Sequence, residues 1–585
     1  MKFNLSLFII GSVFAFLIIL NICTFSSSIR RPFSLDEAEE ATMGIKINKI
    51  GYRTFLPPPQ GGGMQISHAL LYTYTHALVS RLFGQGEFPL RMYGVFHYFI
   101  SLCLVLLIVR RLTPEKCLRR WAMAVALALY ISNPLLLQHS TVINADNNIL
   151  TTMILLFLYF FLFFEEKNLL GKDYFFSRVK LSILFALCFW AKEITPVFVI
   201  VGILAYRILN RQRKELLGDF FMGMLGVSLF WGSWWLYCLL TNTEVLAFVK
   251  FTIANKSKLA FSPGYIRGVL KGFLMPWRWP IYWVSAPFFV VVIMILIHRI
   301  RRLFREKRAT CIDCFLTVAL CIWLPYLFFK PNPDTMKYQY PSYPIFIMVI
   351  SYYCAKLIQK REKLKYPSRL NGKFTLLFTL MGVILLFHYY HLGDYILVLW
   401  QPLSKHLNSH FFIYYYLPIL MFLSIILVVS PRSKVWGNSL LGFTFLILPI
   451  NGGLLINQAK ANYSTTEIYL NYGESGLRET IEYLANHITP NSTIAVRGDL
   501  SYHLVYRKNI KIKENVNPIL VLNNPILAEK LITISPIEYL VLDKVTGLAV
   551  KDKKALSFLN KYFICVKKLG TFYIFRFKGI NYRRK

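Results

Sequence analysis

Charge is scarce in this sequence. Charged residues fill 16% of its 585 positions, where a soluble fold needs roughly 25% to cover its surface. With 56% hydrophobic residues, the chain cannot be a soluble enzyme or a disordered chain. Acidic residues are scarcer still: 29 Asp and Glu stand against 66 Lys and Arg, a net charge of +37. In a soluble protein that excess points to nucleic acid. Here most of it lies in short loops between apolar runs, where the positive-inside rule expects it, so a nucleic-acid binder is excluded as well. A disulfide framework is also missing. Cys23, Cys103, Cys188, Cys238, Cys321 and Cys354 sit in apolar runs, and Cys565 alone falls in the C-terminal polar region, so no bridge can close there. Cys311 and Cys314 have CxxC spacing without a second pair or a nearby His. They read as incidental thiols at a membrane edge, with a redox or metal pair as the alternative. No small-residue cleavage site follows the first apolar stretch, which is too long for a signal peptide and is expected to remain as an anchor.

What the chain has is length of apolar sequence. A spanning helix needs about 20 apolar residues, and thirteen segments qualify: about 4–26, 93–110, 121–138, 148–164, 181–193, 195–209, 219–240, 280–298, 312–330, 341–358, 374–390, 411–429 and 440–456. Basic clusters at Arg110–Arg120, Lys167–Lys180, Arg207–Lys214, Arg299–Arg308, Lys356–Lys373 and Arg432–Lys434 occupy alternate loops. They therefore share one side, the cytoplasm. The N-terminus is expected to be cytoplasmic and, after thirteen crossings, the C-terminus to lie on the far side.

The expected organisation is an all-α polytopic membrane domain over 1–457 and a C-terminal soluble α/β domain over 458–585. The first far-side loop, 27–92, is long and polar, with helices expected at about 35–50 and 67–83 that lie along the membrane surface. In the C-terminal part, helices are expected at 476–487, 525–533 and 553–562, and strands at 493–498, 538–543 and 571–577.

The far-side loops carry the chemistry. The first begins Ser34-Leu35-Asp36-Glu37-Ala38-Glu39-Glu40-Ala41. Ser34 and Glu37 fit a capping box at a helix start, which explains Glu37 but not so many acids in an acid-poor chain. Asp36 and Glu40, four apart, share a helical face, and a carboxylate at a membrane-embedded cavity is a functional candidate. A second acid, Asp146, lies in the tight far-side turn Asn144-Ala145-Asp146-Asn147-Asn148, where an ordinary turn or cap role is the plainer reading. Lys192-Glu193 ends an apolar run just before Pro196. It reads either as a pair snorkelling to the interface or as a cation for a phosphate. Arg278 and Lys337 sit among Trp and Tyr at further far-side ends, as in an aromatic belt. Gly61-Gly62-Gly63 lacks the Lys-Ser/Thr of a phosphate loop and reads as a turn.

Taken in order, these features resemble the GT-C superfamily of polyprenyl-phosphate-sugar-dependent glycosyltransferases, in particular the protein O-mannosyltransferases and the lipid A aminoarabinose transferases. Asp36-Glu37-Ala38 matches their loop signature. Leu70-Leu71-Tyr72 and Phe83 to Arg91 resemble the segment that ends in Ser/Glu-x-x-x-Arg. Asn133-Pro134-Leu135 through His139-Ser140 to Asp146 resembles the turn with their second acid. Lys192 matches their Lys at the end of helix five, and Lys337-Tyr338-Gln339-Tyr340-Pro341 their Lys-x-Arg-Tyr stretch. The likeness covers about residues 1–350. It departs where Ile66-Ser67 stand in place of Glu-Lys, and His68-Ala69 in place of Pro-Pro. Those changes remove the match for a metal-binding Glu and a phosphate-contacting Lys, and Gln339 stands where the family has Arg.

The resemblance implies inverting transfer of a sugar from a polyprenyl-phosphate donor to an extracytoplasmic lipid, glycan or protein, in a multi-pass protein of the bacterial inner membrane. Asp36 is the expected general base, with Asp146 and Glu37 as catalytic partners. Lys192, Arg91, Arg278 and Lys337 are expected at the donor phosphate and Tyr72 at the substrate. No cofactor or metal is expected, because a Lys/Arg clamp can itself stabilise a phosphate leaving group. The alternative is a transporter or flippase for an anionic or lipid-linked substrate. No internal repeat with broken helices supports it.

Overall fold

The computed structural model describes residues 5–29, 32–33, 37–38, 40–42, 44, 71–167, 169–241, 245–246, 284–306, 309–329, 336–364, 433–461, 476–523, 525–543 and 553–579. The apolar runs fold as helices: α1 (Leu5–Ile29), α2 (Leu71–Phe83), α3 (Glu87–Leu112), α4 (Lys116–Ser132), α5 (Pro134–Ser140), α6 (Thr151–Glu166, entered through a π turn at Asp146–Leu150), α7 (Gly171–Ala191), α8 (Thr195–Leu209) and α9 (Arg213–Thr241). They continue as α10 (Ala286–Glu306), α11 (Cys311–Phe329), α12 (Met336–Gln339), α13 (Ser342–Leu364) and α14 (Ser433–Ala461). Every expected span with described residues folds mainly as helix; 374–390 and 411–429 lie outside them. Among the described residues five helices are long and apolar enough to cross a membrane, or six with the bent pair α4–α5. Several others are too short, such as Thr195–Leu209. These helices make the chain an integral membrane protein.

Local chemistry sets the breaks that matter. Asn133 caps α5, its Oδ1 accepting from the Leu136 amide at 3.1 Å, and Pro134 opens the helix. Proline cannot continue the preceding ladder, so α4 and α5 meet at a 59° bend. That bend turns the chain back toward α6 through Thr141–Asp146. Gly94 of α3 lets the turn approach: a Cβ there would lie 2.1 Å from the Ser140 carbonyl oxygen and 2.8 Å from Asn148 Oδ1. Pro196, in the first turn of α8, separates it from α7 and leaves Lys192 extended in the joint. Within the bundle α3 packs on α6, α7 on α9, α8 on α11 and α4 on α13.

Residues 477–577 build a mixed sheet with helices around it. The elements run α15 (Leu477–His487), β1 (Ser492–Ala495), α16 (Gly498–Tyr502, continued by a π turn His503–Arg507), β2 (Ile512–Val516), α17 (Pro518–Asn523), α18 (Pro525–Ile534), β3 (Ile537–Leu542), α19 (Lys553–Tyr562), β4 (Phe563–Leu569) and β5 (Phe572–Phe577). The strand order is β2-β1-β3-β5-β4, with β1 parallel to β2 and β3, and β5 antiparallel to β3 and β4. β3 is buried along its whole length. Separate apolar clusters form around Ile494 with Tyr539 and around Ala495 with Leu540.

Candidate active site

The first loop enters the site through Glu37, which has no exposure. Its carboxylate meets Arg91 of α3 as a two-toothed fork, Arg91 Nη1 to Glu37 Oε1 at 2.7 Å and Nη2 to Oε2 at 3.0 Å. The Ile143 amide also donates to Glu37 Oε1, at 3.2 Å. Arg91 Nη1 also donates to the Thr141 carbonyl at 2.7 Å and Nη2 to the Pro32 carbonyl at 3.2 Å. One ion pair thus staples the first loop, α3 and the α5–α6 turn together. Glu37 thus does more than cap a helix start, and Arg91 is buried in its pair with it.

Three residues beyond Ile143 the same turn presents Asp146, also without exposure. Its backbone amide donates to Asn144 Oδ1 at 2.9 Å and its carbonyl accepts from the Thr151 hydroxyl at 2.6 Å. Its carboxylate Oδ2 pairs with the Lys192 ammonium. Oδ1 is buried and has no hydrogen-bond partner among the described residues. Lys192 also lies 4.4 Å from the centroid of the Tyr338 ring, and Lys337 lies 5.4 Å from the same ring. Tyr326 stacks on Tyr338 at 5.3 Å and is tied to Thr195 by a 3.0 Å hydrogen bond. Aromatic faces favour cations, so Tyr338 gathers both ammonium groups into a buried basic site facing Asp146.

Tyr72 lines a neighbouring wall. Its ring stacks on His76 at 5.4 Å and lies 6.3 Å from Tyr93. Burial lowers the His76 imidazole to about 4, so it is neutral in ordinary buffers. Asp36 and Arg278 lie outside the described residues, as do Gly61-Gly62-Gly63 and residues 66–69. The structure therefore joins Glu37, Arg91, Asp146, Lys192 and Lys337 along one face of the bundle. Sequence reasoning missed the part of Tyr338, assigned to an aromatic belt. Its position between two lysines in the folded chain is the signal, and Lys337 beside it in sequence was half of it.

Comparison with known proteins bears on this arrangement. A family model described as dolichyl-phosphate-mannose-protein mannosyltransferase matches residues 67–237. ArnT from Cupriavidus metallidurans in the apo state superimposes with a TM-score of 0.55 at 13% identity, covering 97% of each chain. By fold, the chain resembles ArnT. A second structure of the same protein, bound to undecaprenyl phosphate, gives 0.53 at 13% identity, over 97% of this chain and 98% of that one. The oligosaccharyltransferase of Archaeoglobus fulgidus in the apo form gives 0.52 at 12% identity, over 94% of this chain and 72% of that one. No curated protein sequence matches. In line with the resemblance read from its motifs, the chain is similar to the O-mannosyltransferases over the matched segment and to ArnT in fold.

Proposed function

We propose that this chain transfers a sugar, with inversion, from a polyprenyl-phosphate-linked donor to an acceptor outside the cytoplasm. The observation that carries the reading is the buried basic site of Lys192 and Lys337 around Tyr338, set against Asp146. The family model and the undecaprenyl-phosphate complex of the ArnT neighbour support a lipid-phosphate donor.

Transfer breaks the bond between the anomeric carbon and the phosphate oxygen. Negative charge then collects on the departing polyprenyl phosphate, where preorganised cations stabilise it. Lys192 and Lys337 supply that charge, and the proposal needs no metal or cofactor. An entering phosphate competes with Asp146 for Lys192. It releases the Asp146 carboxylate toward the acceptor, whose oxygen attacks the anomeric carbon from the opposite face. Asp36 takes the acceptor proton as general base, and Asp146 orients the acceptor. Proton transfer of this kind is worth roughly 10²–10⁴ in rate. The acceptor is an envelope lipid, glycan or protein, and the enzyme works in a bacterial inner membrane with its N-terminus in the cytoplasm.

The test is a radiolabel assay of purified protein with and without a polyprenyl-phosphate sugar, paired with mass spectrometry of envelope lipids and glycoproteins from a deletion strain. Label transfer and one missing sugar are expected. An unaltered envelope together with inert purified protein would remove the reading.

A further inference from the structure

The residues just ahead of Glu37 are gripped from two sides. From the bundle, Arg91 donates to the Pro32 carbonyl at 3.2 Å, and its guanidinium carbon lies 5.2 Å from the Phe33 ring centroid. From the C-terminal unit, Tyr502 and His503 bring their rings to 5.5 and 6.0 Å from the same ring. His503 Nε2 lies 3.3 Å from the Phe33 carbonyl oxygen. Phe33 itself has no exposure.

The grip is anchored on the bundle next to the loop. The Tyr502 hydroxyl donates to the Gln85 carbonyl at 3.1 Å, and Arg507 donates to Glu87 Oε2 at 2.7 Å. His503 Nδ1 stands 3.7 Å from the other Glu87 oxygen. All three side chains come from the short stretch that follows β1, α16 and its π turn. A buried carbonyl needs a donor, and His503 supplies one to Phe33. Without it, local opening of the segment becomes less costly. A catalytic group has to be held within roughly 0.5 Å of its working place, and Asp36 lies only three residues beyond Phe33 in sequence.

We propose that Tyr502 and His503 are positioning residues, through which the C-terminal sheet unit holds the first loop in register for the reaction. The proposal rests on the function argued above, in which Asp36 is the base. Neither side chain meets substrate in this scheme. Both act through Phe33 and the Gln85–Glu87 corner.

The test uses full-length protein in lipid nanodiscs and three variants: His503→Leu, His503→Gln and Tyr502→Phe. Hydrogen exchange of peptides covering 32–44 is compared with that of peptides covering β1 and β3. Losing one hydrogen bond should speed exchange of 32–44 about five- to tenfold in His503→Leu, with β1 and β3 unchanged. His503→Gln, whose amide can donate over a similar reach, should restore protection. In the transfer assay kcat should fall roughly tenfold or more in His503→Leu, since small misplacements of reacting groups are costly. The donor KM should stay within about twofold, and the Gln variant should recover. Unchanged exchange of 32–44 in both His503→Leu and Tyr502→Phe overturns the proposal. If His503→Leu also exposes β1 and β3, Tyr502→Phe decides alone, because it removes only a hydroxyl. If the wild type transfers no sugar, the proposed function fails while the exchange data still judge the loop contact.

Discussion

Glu37→Gln would leave a guanidinium without its anion in a place no water reaches. Glu37 and Arg91 both have no exposed side-chain surface, and breaking a buried pair from one side costs roughly 3–5 kcal/mol. The expected result is poor folding yield or a sharply lower melting temperature, read by thermal unfolding in detergent. A capping role alone would leave that variant nearly normal, since Gln also serves in a capping box. Asp36→Asn should behave differently: normal membrane expression, near-normal donor binding and a kcat loss of roughly 10²-fold or more. If Asp36→Asn keeps wild-type activity while Asp146→Asn loses it, the base is the other carboxylate. Lys192→Ala makes a third contrast. It should raise the donor KM, because the phosphate loses a cation, and it strands Asp146 as a buried anion. Unchanged KM and kcat in that variant would assign Lys192 to the membrane interface. Asp146 and Lys192 could be singled out in the sequence because chemistry-bearing residues are rare there, and the fold pairs them. The Glu37–Arg91 pair could not be. Its partners stand 54 residues apart, and only the folding of the loop onto α3 brings them together.

At the level of elements, apolar runs announced helices well and polar helix ends poorly. The run at 181–193 read as a short span, yet α7 begins at Gly171 because the polar turn before it continues the ladder. In the C-terminal sheet the inner strands β1, β3 and β5 were legible from their apolar residues. β2 (IKENV) and β4 (FICVKKL) were missed. They are the two edge strands, and edges carry charges that discourage further pairing. Those charges erase the alternation by which strands are read. The segment that docks on the first loop was equally silent, being a π turn whose role is set by what it touches. Its docking should depend on pH. Burial lowers the His503 imidazole, and Arg507 adds to this. The Glu87 and Asp499 carboxylates and the Phe33 carbonyl oppose it without cancelling it. Docked His503 therefore resists protonation, while undocked His503 titrates near its ordinary value of about 6.5. Above that value both forms are neutral and docking is complete. As pH falls through it, the undocked form gains a proton that the docked form resists, and docking weakens until the lowered value is passed. Exchange protection of 32–44 should fall between about pH 7 and 5 in the wild type and stay level in His503→Gln. A wild-type profile that is flat over that range would contradict this account.

Among the described helices of the bundle, buried charge gathers at two ends. The site face holds Glu37, Arg91, Asp146, Lys192 and Lys337, the joints where helices end or begin. At the other ends of the same helices Arg178 and Arg207 share Glu165 and Asp219, with separations of 2.7 to 3.1 Å. Arg299 pairs with Asp313 across the α10–α11 connection. These are the basic clusters that the positive-inside rule assigns to the cytoplasm, here locked to acids in the helix bundle. The topology that follows does not depend on how many spans are counted. α10 starts on the site face, where Phe288 lies 5.8 Å from Tyr343, and runs away from it toward Arg299 and Leu303. At 1.5 Å per residue, Leu303 is roughly 20 Å further along the helix than Phe288. The C-terminal unit, by contrast, touches Phe33, Gln85 and Glu87 on the site face through α16 and its π turn. Reporter fusions at Leu303 and Asn491 should therefore report opposite sides of the membrane, with Leu303 cytoplasmic. If both report the same side, either α10 does not cross or the sheet unit does not rest on the site face in the membrane. The second case would also remove the contact between His503 and Phe33, so exchange of 32–44 in the same preparations tells the two failures apart.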